Sequence, residues 1–161
     1  MLALLAIASL SVCTVEDARY RMRTAPDIVA TFHDVENGRD WPSRIALDIH
    51  IGASGRDYWF LPWNGGTDGL AHLASTTDVR SASWRPPSPD DGKERPIGDI
   101  DYIGTDASYH VYEGVPVRNG VAPAHMLMPN LGDVLWHLTP PDKRDAAPKQ
   151  FFDLVGCSKS K

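Results

Sequence analysis

Only two cysteines, Cys13 and Cys157, stand in the 161 residues, and no C-x-x-C pair exists. A thioredoxin-like motif and a zinc ribbon, which need closely spaced thiols, are thereby excluded. Positive charge is also scarce: 16 Lys and Arg stand against 21 Asp and Glu, for a net charge of −5, and the basic residues are scattered. A nucleic-acid binder needs a basic stripe to displace phosphate counterions, so that class is set aside. No G-x-x-x-x-G-K-[ST] and no G-x-G-x-x-G following a strand is present, and no H-E-x-x-H, which removes the P-loop, dinucleotide and zinc-protease signatures. Gly52-Ala53-Ser54-Gly55-Arg56 misses the G-x-S-x-G nucleophile elbow, because Arg56 stands where the last glycine belongs. In "DIDYIGTD", Ile103 occupies the fifth place of an EF-hand loop, and its side chain cannot ligate calcium. No cofactor and no metal are expected from these patterns.

Charge is missing altogether from the first fifteen residues; Glu16 is the first charged side chain. "MLALLAIASLSVC" is too short to span a bilayer, which takes about 20 apolar residues, but it suits the hydrophobic core of a secretion signal. Residues 1–12 are read as that signal and residues 13–161 as a single β-rich domain. Leu10, Ser11, Val12 and Cys13 resemble the lipobox of bacterial lipoproteins. In that family the signal is cut before the cysteine, whose thiol then carries diacylglycerol. Leu10 and Ser11 match; Val12 departs from the usual Gly or Ala. The resemblance implies that Cys13 is the first mature residue and a lipid anchor, the one route to a membrane that the chain offers. The competing fate is a Cys13–Cys157 disulfide formed in an oxidising compartment. Either way the expected location is outside the cytoplasm: periplasmic, or anchored to the membrane as a lipoprotein.

Long helical periods are lacking as well. Residues 44–51, "RIALDIHI", alternate cleanly, with Ile45, Leu47, Ile49 and Ile51 on one face and Ala46, Asp48 and His50 on the other. "GASGRD" suits a hairpin connection to "YWFLP", which Pro62 ends or edges. "ARYRMRTA" places Arg19, Arg21 and Arg23 on one strand face, most simply a solvated one. "DIDYIG", "SYHVYEGVPV", "AHMLMP" and "QFFDLVGC" are further strand-like segments, and "LAHLASTTDV", whose pattern is ambiguous, could extend the sheet. Residues 130–138 allow either a short helix with Leu131, Leu135 and Leu138 on one face or a hairpin turn. Residues 85–98 hold four prolines without periodicity and are expected to form a long exposed loop. The fold class is all-β or β-dominant α+β, closing as an antiparallel sandwich or a barrel.

Two sets of residues have the right chemistry for a site. Trp59 and Trp63 flank Pro62 and precede Asn64 and Asp68. Flat indoles beside amide and carboxylate groups suit stacking on a sugar ring or another small ligand, although aromatics in strands are more often packing residues. Asn64 and the glycines after it also have a plain turn-forming reason to be there. Asp48, His50 and His110 are the weaker, catalytic set, since acid–base work needs them to converge. The expected function is an exported cell-envelope domain that binds a small ligand, a glycan or another envelope protein without catalysis. The alternative is a small exported hydrolase using the Asp/His set.

Overall fold

The computed structural model describes residues 12–36, 40–65, 70–89 and 95–158. The signal segment, apart from Val12, lies outside the described residues. The chain is strand-dominant. Eight antiparallel strands close into a barrel in simple sequence order: β1 (Ala18–Met22), β2 (Ile28–Asp34), β3 (Ile45–Ile51), β4 (Arg56–Asn64), β5 (Ala71–Thr76), β6 (Asp99–Thr105), β7 (His125–Leu127) and β8 (Phe152–Cys157). β8 pairs back onto β1, with Tyr20 opposite Leu154 and Met22 opposite Phe152. Closure leaves no sheet edge to protect.

The period of two sorts side chains to the two faces. β1 buries Ala18, Tyr20 and Met22 and turns Arg19 and Arg21 outward, so those arginines line a solvated face. Inward residues from all around the barrel, among them Tyr20, Phe32, Leu47, Phe60, Met126 and Phe152, form one apolar cluster. An eight-stranded barrel is just wide enough for side chains to fill. Here they do: Leu47, Phe60, Leu73, Ile100 and Phe152 have no exposed surface. The single α-helix among the described residues, α1 (Leu131–His137), adds Leu131, Val134 and Leu135 to the cluster from one end. Its apolar face therefore uses Val134, and Leu138 is exposed. Asn130 makes no capping bond within α1; its Oδ1 accepts from the Asp101 N–H at 2.9 Å and ties the helix to β6.

A second apolar cluster lies outside the barrel wall. Ala46, Trp59, Leu61 and Ala74 from β3, β4 and β5 pack with Val35 and Trp41 of the β2–β3 loop; Trp63 and Trp84 sit at its border. This cover explains why β3 is buried on both faces up to Asp48, not on one as its alternation suggests. The described residues of 85–98 are not simply exposed. Pro87 is buried and its carbonyl accepts the Trp41 indole N–H at 2.8 Å. Arg95 reaches the Pro89 carbonyl and Asp99, each at 2.6 Å.

Three segments differ from expectation. Ile28–Asp34 is a full strand that the segment list above omits, despite alternating as well as β3. "SYHVYEGVPV" is loop, touching the sheet through one isolated bridge from Val111 to Thr105. β4 continues through Pro62 to Asn64. Its pairing with β3 stops at Phe60 opposite Leu47, so Pro62 sits where no N–H is required on that side. Cys13 and Cys157 are joined as a disulfide, with Cα atoms 5.7 Å apart and a sequence separation of 144. A bridged Cys13 has no thiol left to carry a lipid.

Candidate functional site

Because the strands alternate in direction, the N-terminal segment, the β2–β3 loop, the β4–β5 connection and the β6–β7 loop emerge at one end of the barrel. This end, opposite α1, is the mouth. Along β6, Ile100, Tyr102 and Gly104 share the inner face. A Cβ at Gly104 would lie 2.8 Å from the Tyr102 hydroxyl, so the glycine makes room for the phenol at the mouth. Beside it the β6–β7 loop forms an open cavity of about 300 Å³, lined by Tyr102, Gly104, Tyr112, Glu113, Val115 and Val117 among others.

Tyr102 is 3% exposed. Its hydroxyl makes no hydrogen bond to a described residue, and it lines the cavity. Burial pushes its phenol well above the ordinary value, and Tyr20 and Tyr112 nearby push it further. Tyr20 is raised mainly by burial, and donates its hydroxyl to the Pro123 carbonyl at 3.0 Å. Both phenols therefore stay protonated at neutral pH, and Tyr102 remains a donor with no acceptor from the described chain.

The loop over the cavity is fastened at several points. Asp106 accepts the backbone N–H groups of Ser108 and His110. Arg118 pairs with Asp34 at 3.0 Å and donates its backbone N–H to the Ser43 carbonyl. Glu16 accepts the Asn119 N–H, holding that residue at φ 61. Such anchoring preforms the cavity walls.

The sequence candidates do not assemble into one site. Trp59 and Trp63 face outward; Asn64 faces the barrel end, where its amide lies beside Gly114. Asp68 lies outside the described residues. Trp59 is 4% exposed, with the Arg80 guanidinium 4.7 Å above its ring and the His33 ring 5.0 Å away. It packs in the outer cluster and also lines a second surface cavity of about 410 Å³ with Asp57, Thr76 and Asp78. Trp63 is partly buried between His72 and Arg95, at 5.6 and 5.5 Å. Asp48, His50 and His110 each have a different partner. Asp48 faces His33 at 3.7 Å, His50 bonds Asp57 at 2.6 Å, and His110 bonds Asp106 at 3.0 Å. No group of three or more metal-ligating side chains is arranged for a metal among the described residues.

One polar cluster was not foreseen. His125 Nδ1 lies 2.7 Å from Asp153 Oδ1, and Arg23 grips the same carboxylate with Nε and Nη2 at 2.9 and 2.8 Å. The Arg23 Nη2 also donates to the Tyr109 hydroxyl at 2.7 Å, and the Tyr109 ring stacks on His125 at 4.4 Å. The Arg23 hydrogen bonds hold the Asp153 carboxyl below its usual range against a smaller effect of burial, and His125 adds to the lowering. The cluster binds β1, β7, β8 and the β6–β7 loop together, and so steadies one root of the mouth loop. Its members are spread along the sequence and meet only through the register that sets His125 opposite Asp153.

Fold and site together define a closed, side-chain-filled barrel with a small cavity at its mouth. Comparison with known proteins finds no matching family, no matching curated protein and no matching solved structure.

Proposed function

We propose that this chain is an exported domain of the cell envelope that binds a small ligand at the mouth of its barrel, without catalysis. The observation that carries this reading is the cavity beside the fastened β6–β7 loop, with the hydroxyl of the largely buried Tyr102 facing it. Barrel mouths are a common place for small-molecule sites, and convergent polar groups in an apolar pocket are what such sites use for orientation. The Cys13–Cys157 disulfide supports export, since such bonds persist in oxidising compartments. It also favours a free periplasmic form over a lipid anchor at Cys13. The dispersal of Asp48, His50 and His110 weighs against the hydrolase alternative, and the cover over Trp59 weighs against glycan stacking there.

The test has two arms. Expression in a bacterium from residue 1, followed by fractionation and intact mass, should yield a periplasmic protein starting near Cys13 and lacking two thiol hydrogens. A cytoplasmic, uncleaved chain, or an acylated Cys13 in the membrane fraction, contradicts the export arm as stated. Ligand-detected NMR with a fragment library should find hits lost in Val117→Trp, which fills the mouth. Hits that survive this substitution contradict the mouth as the site.

A further inference from the structure

The mouth cavity has a chemical character that narrows its ligand. It sits at the lower end of the size range for small-molecule sites, about 300–1,000 Å³. Its walls include Val115, Pro116, Val117 and Val121, which give an apolar body somewhere to pack. The Tyr102 hydroxyl in its wall is a donor. The Tyr102 hydroxyl bonds no described residue and faces the open cavity, so a ligand oxygen that replaces solvent there finds a donor already in place.

Charge is disfavoured in either sign. The described lining residues include no Lys, Arg or His. Arg118, on the same loop, is occupied by Asp34. An anion in the cavity would meet no counter-charge among the described lining residues, and Glu113 in the wall would repel it. A cation would find Glu113, but that side chain is exposed, and exposed ion pairs contribute little.

We infer that the mouth binds a small uncharged amphiphile, seated by a carbonyl or similar oxygen that accepts a hydrogen bond from Tyr102, with its apolar part against Val115, Pro116 and Val117. This rests on the reading of the mouth as the ligand site. Tyr102 is then a specificity-determining residue, and Gly104 positions its hydroxyl. A side chain at Gly104 would displace the phenol tip, because its Cβ falls 2.8 Å from the oxygen and 3.2 Å from Cε1.

Three probes of matched shape test this: cyclohexanone, cyclohexanecarboxylate and methylcyclohexane, titrated into the ¹⁵N-labelled full chain. Tyr102→Phe keeps the ring and removes a hydroxyl that bonds no described residue, so the fold is expected to survive. Cyclohexanone should shift the amides of Gly104 and residues 112–117, and bind Tyr102→Phe about 3- to 10-fold more weakly, the loss of one neutral hydrogen bond. Methylcyclohexane should bind both forms equally, and the carboxylate more weakly than the ketone. Equal ketone affinity for both forms, or tighter binding of the carboxylate, overturns the ligand class while leaving the mouth site standing. Silence of all three probes at these amides, or shifts that persist in Val117→Trp, overturns both.

Discussion

Trp41 donates its indole N–H to the Pro87 carbonyl at 2.8 Å, joining two loops that leave opposite ends of the barrel. The bond lies over the outer faces of β3, β4 and β5 and closes the second apolar cluster against water. Trp41→Phe keeps most of the apolar surface but leaves a buried carbonyl without its donor. We expect a loss of about 1–3 kcal/mol in urea denaturation. Protease cleavage should also appear within residues 77–89 before global unfolding. An unchanged midpoint would mean that the two loops are held by other contacts.

Trp59 makes a contrasting prediction for a residue that the sequence marks as ligand-binding. It is buried beneath Arg80 and beside His33, so removing its ring empties part of the outer core. Trp59→Ala should destabilise the fold by about 3–5 kcal/mol. A stable Trp59→Ala protein with selectively impaired ligand binding would return this residue to the site.

The disulfide closes nearly the whole chain, linking the segment before β1 to the end of β8. A cross-link over so long a loop restricts the unfolded ensemble strongly. Reduction, or the Cys13→Ala/Cys157→Ala pair, should lower stability by about 2–5 kcal/mol. The reduced wild type and the double variant should show matching denaturation midpoints. A midpoint indifferent to reductant would show that the bond adds nothing to the fold.

Asp145 gives stability a pH dependence. Burial opposes its ionisation, but hydrogen bonds from Tyr58, Ser54 and Arg56 outweigh that and hold its carboxyl below the ordinary range. A carboxyl with a lowered folded pKa contributes stability that is present above its unfolded value, about 3.9, and lost as pH falls through the folded one. Urea midpoints should therefore drop on acidification below about pH 4. Asp145→Asn should be less stable at pH 7 and show a shallower acid decline. An equally steep decline would assign the effect to other carboxyls, Asp153 among them.

Much of the wall was legible because alternation is a local signal. Ile45, Leu47, Ile49 and Ile51 announce β3, and Ile28, Ala30 and Phe32 announce β2 equally well. Pro62 misled because a proline normally stops a strand, and whether its N–H side has a neighbour depends on where β3 pairing ends. The Tyr and Val content of residues 108–117 imitated a strand. In fact Tyr109 is held at φ 63, and Val111, Tyr112 and Val117 are exposed around the mouth. Tyr102 carries no local mark of function, since an inward tyrosine on an alternating strand is indistinguishable from core. The hint was Gly104, two residues on and on the same face. The His125–Asp153 pair could not be read, because it depends on the register of β7 against β8.

The most direct test of the account is amide chemical-shift mapping of the full chain with cyclohexanone. The account predicts perturbations centred on Gly104 and residues 112–121, weakened in Tyr102→Phe and abolished in Val117→Trp. Perturbations centred instead on Trp59 and Trp63 across the outer face, with the mouth amides unmoved, would contradict it.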